Sequence, residues 1–311
     1  MSAAVATAVP ARLQSAANAL DLAWRNRVFY LFVAPFAALT IVFGLWPIAL
    51  SIQVSLTASA SALSPNPTYV GLANYATVLA DPIFLASLWR TLWYAALAVA
   101  ANLAFALGVA ILVDNPRLRA GSMFFRLALF LPVVTPDVAG YVVWRWLYDR
   151  SFGAINAAAE QLGLPAFGGL SSVDTVTLAV LIAELWHHAG FYMTIFLANL
   201  AMRDRALEEA AAIDGASVWQ KWRFVILPQL RPAIVINLVY ATVQFLKTFT
   251  VVVVMTKGGP AERTNFVSYY AYQLFDQGRY GEATAMASLL FAIVIALSLG
   301  AFRLSEGRGP R

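Results

Sequence analysis

Glu184 and His187 stand three residues apart, a spacing that sets a carboxylate and an imidazole on one face of a helix. Di-iron bundles use such a pair twice and add two further carboxylates. His187 and His188 are the only histidines in the chain, so no second pair can be drawn and the residues argue against a metal site. The reading that remains is that Glu184 and one histidine satisfy each other inside an apolar bundle, because ionisable groups within a membrane seek a partner or water. Asp137, between Pro136 and the apolar VAGYVVW, and Lys247, inside a later apolar run, are under the same constraint. Gln244, Lys247 and Thr248 follow the i, i+3, i+4 pattern of one helical face, with Phe249 beside them. Amide, hydroxyl and ring suit a hydroxylated ligand, and the ammonium suits a phosphorylated or acidic one. A packing role for this face is an equal alternative from the residues alone. No Gly-x-x-x-x-Gly-Lys-Ser/Thr loop occurs, so the chain cannot cradle nucleotide phosphates in the P-loop manner. The absence of cysteine excludes disulfides and thiolate chemistry.

The elements that must position these groups are membrane helices. Of 311 residues, 61% are hydrophobic and 12% charged, with a mean hydropathy of +0.71. That leaves too little polar surface for a soluble globule, in which about a quarter of residues are charged. Six apolar runs are long enough to span a hydrocarbon core about 30 Å thick, over residues 28–56, 88–113, 124–148, 175–200, 234–255 and 284–304. Each is expected to be helical, since only a helix satisfies its own peptide groups in lipid. The first run is too long for a signal peptide, so it is read as a retained span. Of the 21 Lys and Arg, fourteen fall in one set of alternating connections and six in the other, with Lys247 inside a run. This asymmetry places both termini in the cytoplasm and accounts for the net charge of +5 without a nucleic-acid partner. Residues 1–27 then form a cytoplasmic segment, 28–304 the membrane domain and 305–311 a cytoplasmic tail. Residues 58–87 and 151–172, rich in turn formers, read as external loops. No internal repeat and no soluble domain is evident.

Nine of the 37 charged side chains crowd between Arg203 and Arg231. Asp204 can cap a helix whose first turns carry Glu208 and Glu209, signs favoured near its positive end. Gly215 suits the left-handed residue that ends such a helix, and Ser217 with Gln220 makes a capping box for a second one. In that second helix Val218, Trp219, Trp222, Val225 and Ile226 form an apolar face until Pro228 stops it. The product is a helix–turn–helix projection, read on physical grounds either as an interfacial linker or as a docking element for a cytoplasmic protein.

The stretch EEAAAIDGAS…ILPQLRP, on Glu209, Ala210, Ala211, Gly215, Leu227 and Pro228, resembles the EAA loop of binding-protein-dependent ABC importer permeases of the carbohydrate type. VGLANYATVLADPIF resembles the family's external segment before the second span, FFRLALFLPVVTPDVAGYVVWRWLYDRSFGAIN its third span, LWHHAGFYMTIFLANL its fourth and FLKTFTVVVVMTKGGP the end of its fifth. The resemblance runs from about residue 70 to 302 and is specific to the group that includes maltose-type and glycerol-phosphate-type permeases. His187 and His188 stand where that group more often has a Lys and a small or polar residue, and Thr250 where it has Asp. The resemblance implies an all-α integral membrane protein with six transmembrane helices, the type I importer fold. It implies that the loop over about 202–232 contains the coupling helix, with Glu208, Glu209, Ala210, Ala211, Asp214, Gly215, Ala216, Leu227 and Pro228 at the ATPase contact. It points to Gln244, Lys247, Thr248, Phe249 and Asp137 as candidates for the substrate pathway. The implied partners are a second, similar permease subunit, two cytoplasmic ATPase subunits and an external solute-binding protein. The chain itself would be non-catalytic and hold no cofactor or metal, ATP and Mg being bound by the ATPase subunits. It would work by alternating access in a bacterial or archaeal plasma membrane, carrying a sugar, a polyol or a glycerol phosphate. An ion-coupled secondary carrier would need no docking loop and would usually show an internal repeat. A structural anchor would not require Asp137, Glu184, Gln244 and Lys247 within the bilayer.

Overall fold

The computed structural model describes residues 27–58, 68–114 and 121–306. Arg12, Arg25, Arg117, Arg119, Arg308 and Arg311, which enter the orientation argument, lie outside the described residues. Four described helices are long and apolar enough to cross a membrane, and two bent helix pairs raise the number to six if each pair is one span.

Helix α1 (Arg27–Ser55) belongs, up to Val54, to a unit of its own. It presents large apolar side chains outward along most of its length, Phe32 being 80% exposed, as lipid or another apolar surface requires. A π-helical turn over Thr40–Leu45 precedes Pro47. In a regular α-helix Pro47 would press on the carbonyl of Phe43 and leave it without a donor, and the wider turn just before it takes up that conflict.

The second unit opens with a small antiparallel pair, β1 (Thr57–Ala58) on β2 (Thr68–Tyr69), in the register Thr57 to Tyr69 and Ala58 to Thr68. Asn74, in the short helix α2 (Ala73–Ala80), donates to the carbonyls of Ser55 and Thr57 at 2.8 and 3.0 Å, and the hydroxyls of Tyr75 and Ser55 meet at 2.7 Å. This region, expected to be turns, is thus partly ordered by one asparagine. Helix α3 (Pro82–Asp114) starts six residues before the apolar run does, because Pro82 is pre-organised for a first helical turn and Asp81 caps it, accepting from the Ile83 N–H at 2.8 Å.

The third apolar run is two helices, not one. Helix α4 (Ser122–Val134) and α5 (Asp137–Leu147) meet at 104°. Thr135, ahead of a proline, is pushed to extended backbone at ψ 134°, and Pro136 brings no N–H to continue the ladder. A short helix, α6 (Ala154–Gln161), follows. Helix α7 (Val176–Ala201) is the hub of the core and packs on α3 and α4. Ala95, Ala98, Ala106 and Ala110 form a buried seam of small residues along α3, which lets backbones approach closely. On α7, a Cβ at Gly190 would stand 2.1 Å from the carbonyl oxygen of Leu129 on α4, so this crossing requires glycine.

The inserted loop holds α8 (Arg205–Ile213) and α9 (Val218–Gln229), and α10 (Arg231–Leu246) follows, bent by 66° from α9. Pro228, expected from the sequence to stop α9, lies inside it instead. A π-helical turn over Trp222–Ile226 absorbs the proline, and the chain turns two residues later, at Leu230. The fifth apolar run is also broken. Helix α10 ends at Leu246, Lys247 is its C-cap, and a π-helical turn over Val252–Thr256 follows. The Thr248 hydroxyl donates to the Phe245 carbonyl at 3.0 Å, and a β-branched run with weak helix preference follows, which together favour the break. Helices α11 (Val267–Asp276) and α12 (Tyr280–Glu306) complete the bundle, packed on each other.

Candidate functional site

Local chemistry builds the loop. The Asp204 carboxylate accepts from the Ala206 N–H at 2.9 Å and caps α8. At the other end of α8 the Ala216 N–H donates to the Ala211 carbonyl at 2.9 Å and the Gly215 N–H to that of Ala212 at 3.2 Å, while Gly215 takes φ +78°. These are the two bonds of a Schellman turn, which needs a left-handed residue and gets it from glycine. Ser217 and Gln220 then form both halves of a capping box for α9. The expected helix–turn–helix is therefore present, but the expected apolar face divides. Trp222, Val225 and Ile226 turn inward, whereas Val218 and Trp219 stay exposed, Trp219 at 71%. With Ile213 at 87% exposed they make an apolar crest on the turn. Glu209, Ala210 and Asp214 are exposed beside it, Ala211 and Ala216 half-buried, and Leu227 and Pro228 exposed on the far arm.

Arg203 ties this projection to the bundle. Its guanidinium donates to Asp114, the last residue of α3, at 2.6 Å, to the Leu200 carbonyl in the last turn of α7 at 2.8 Å, and to Glu208 in α8 at 2.5 Å. Burial alone would weaken its charge, but hydrogen bonds to the two carboxylates outweigh that and hold it more firmly protonated than usual. Gln229 closes the loop from the other arm, its Oε1 accepting from the Asp204 N–H at 2.8 Å. Sequence reasoning used Arg203 only as an orienting charge and did not single out Asp114 or Gln229. The five-residue spacing of Arg203 and Glu208 was readable, but Asp114 lies 89 positions away and only the fold brings it near.

Inside the bundle the polar pairs differ from those expected. Glu184 and a histidine do not satisfy each other. The Tyr94 hydroxyl on α3 donates to Glu184 at 2.6 Å, while Nε2 of His187 meets Asp137 at 3.1 Å. The elbow between α4 and α5 sets Asp137 at the start of α5, within reach of α7, which is why the imidazole finds it. The helical face proposed for Gln244, Lys247 and Thr248 is dissolved by the break after Leu246. Thr248 is buried on its own backbone and Gln244 is half-buried. Lys247 and Phe249 instead line a mostly apolar cavity of about 460 Å³ with Ser268, Tyr272 and Thr284. Those last three come from α11 and α12, and no spacing around Lys247 could have announced them.

Over residues 18–308 the chain matches the family described as binding-protein-dependent transport system inner membrane component. It is 29% identical to the trehalose/maltose transport system permease protein MalF of Thermococcus litoralis, over 88% of this chain and 94% of that one. It is 32% identical to the sn-glycerol-3-phosphate transport system permease protein UgpA of Agrobacterium fabrum, over 90% of this chain and 94% of that one. Among solved structures, a chain of a bacterial ABC transporter involved in the import of the acidic polysaccharide alginate superposes with a TM-score of 0.82, at 20% identity, over 94% of this chain and all of that one. At that identity the superposition speaks for the fold, and the match along nearly the whole length speaks for more: the chain belongs to the family of binding-protein-dependent transport system inner membrane components.

Proposed function

We propose that the chain is the membrane-spanning subunit of an ATP-driven ABC importer for a sugar, a polyol or a glycerol phosphate, with each bent helix pair counted as a span. The observation that carries this reading is the loop: an apolar crest of Ile213, Val218 and Trp219, held by Arg203 to the ends of two long helices. A projection that only filled space at the membrane surface would not need a rigid tie to α3 and α7. The loop is the docking element for a cytoplasmic ATPase subunit; two such subunits bind at the paired loops of this chain and of a second, similar permease, and they, not this chain, hold ATP and Mg. Closure of the ATPases moves the crest, Arg203 passes the movement to the ends of α3 and α7, and the bundle changes which side it opens to. Only a partner with different affinity for the two arrangements can shift their balance, and the nucleotide cycle supplies that difference. An external solute-binding protein delivers the cargo, in keeping with the family description and with the solved alginate importer in complex with its periplasmic protein. Lys247, Phe249 and Asp137 stay as pathway candidates, with Gln244 and Thr248 in supporting positions. The setting is a plasma membrane with both termini in the cytoplasm. Single cysteines at Ala166 and Ser217 test this: an impermeant reagent labels Ala166→Cys from outside and Ser217→Cys only after the membrane is opened. Glu209→Lys should insert normally and lose ATPase association and uptake. Normal uptake by that variant combined with Gly215→Pro would overturn the docking role, and thermal-shift screening of the co-purifying binding protein would name the cargo.

A further inference from the structure

The end of α3 remote from the loop holds a second, smaller cavity of about 290 Å³, walled by Trp89, Arg90, Trp93, Tyr94, Arg263 and Phe266. Arg90 and Asp114 are about 36 Å apart along the helix, so this cavity and the Arg203 junction occupy opposite ends of it. The Arg90 side chain is 27% exposed, and its Nη1 is buried without a hydrogen-bond partner among the described residues. Its ion-pair contact, Oε2 of Glu262, stands at 3.9 Å, beyond hydrogen-bonding reach, and the Glu262 side chain is itself half-exposed. A buried guanidinium nitrogen without an acceptor is costly, and native structures fill such a place with a polar atom. The floor is fixed: Tyr94 stacks on Phe266 at 4.7 Å and is anchored to Glu184, and the Val267 N–H donates to the Thr91 hydroxyl at 3.0 Å. Arg263 is presented by two successive left-handed residues, Ala261 and Glu262, at φ 46° and 55°. Residues other than glycine hold such angles at a cost, and proteins keep them where a side chain must be aimed.

We propose that this cavity binds an oxyanion, a carboxylate or a phosphate, carried on a ring or an apolar body. Two guanidinium forks match the paired oxygens of either group, and Trp89 and Trp93, one turn apart on the open side, offer flat apolar faces to whatever carries it. Thr177, on α7, adds a hydroxyl to the rim. The same chemistry is offered by the headgroup of an anionic lipid in the adjoining leaflet and by a free anionic solute such as an acidic monosaccharide. The site is independent of the loop's role, because none of its residues belongs to the loop.

The test uses the full chain, purified with its co-purifying subunits and reconstituted in nanodiscs of phosphatidylcholine alone or with phosphatidylglycerol. Native mass spectrometry reads retained phosphatidylglycerol, and calorimetry in phosphatidylcholine reads binding of glucuronate and of inorganic phosphate. The wild type should hold at least one of these probes, and Arg90→Gln with Arg263→Gln should weaken it about tenfold with an unchanged melting temperature. Retention of phosphatidylglycerol alone assigns the site to lipid, and binding of glucuronate or phosphate in phosphatidylcholine assigns it to a free solute; either supports the proposal. If the double variant does not fold, Arg263→Gln alone, at an exposed position, must still weaken the bound probe measurably. No binding of any probe by the wild type, or binding that the variants leave unchanged, overturns it.

Discussion

Two arginines serve the two ends of α3, and their surroundings are opposite. Arg203, at the Asp114 end, donates to two carboxylates and a carbonyl drawn from three helices. Arg90, at the other end, has a buried nitrogen with no acceptor among the described residues, in a cavity lined by aromatic rings. A guanidinium with three bonds to groups on three helices joins the pieces it touches into one body. One whose buried Nη1 makes no hydrogen bond retains its capacity to bind there. The difference separates a mechanical joint from a recognition site without reference to charge, which is the same in both. It also makes opposite predictions for removing that charge.

The largest expected effect is at the turn that the joint carries. Gly215→Pro imposes φ near −65° where the chain has +78° and deletes the N–H that bonds Ala212, so uptake and ATPase association should fall below about a tenth of wild type while membrane insertion persists. Next is the joint itself. Arg203→Leu strands Asp114 and Glu208, and a loss of about 1–3 kcal/mol is expected for charged hydrogen bonds of this kind, discounted toward the lower end for partial exposure. Uptake measured per ATP hydrolysed should drop severalfold, and Arg203→Lys, which keeps the charge but not the fork, should fall in between. Wild-type coupling in Arg203→Leu would mean that the loop moves without this tie.

A smaller effect is expected at the broken fifth run. Lys247→Met keeps the stem and removes the ammonium, so assembly and basal ATPase activity should hold while the substrate concentration for half-maximal uptake rises about threefold to tenfold. Failure to assemble with the second permease, the monomer remaining folded in detergent, would move Lys247 from the pathway to a subunit interface. The smallest effect is at the Arg90 end. Arg90→Gln gives up the 3.9 Å contact with Glu262 but no hydrogen bond of Nη1, so thermal unfolding should shift by less than in Arg203→Leu. A large loss of stability there would erase the contrast between the two arginines.

The loop was legible because each of its defining bonds closes within five residues: Asp204 to Ala206, Ser217 with Gln220, Ala216 to Ala211. Such bonds depend on residue type and spacing, which a sequence states outright. The apolar runs were legible for a similar reason, since length and hydropathy alone decide whether a helix can cross lipid. Prolines 136 and 228 were visible too, but their outcomes were not. One sits at a sharp bend with Thr135 already extended, and the other is absorbed by a π-helical turn. A proline removes the same N–H in both places, and the packing around it decides whether the helix breaks or widens. The pairings of Glu184 with Tyr94, of His187 with Asp137 and of Arg203 with Asp114 join positions 50 to 90 residues apart. Composition shows that each of these groups needs a partner, because an unpaired charge in an apolar interior is too costly to keep. Which partner it takes is settled by the packing of α3 along α7 and, for His187, by the elbow at Thr135, and so only by the tertiary structure.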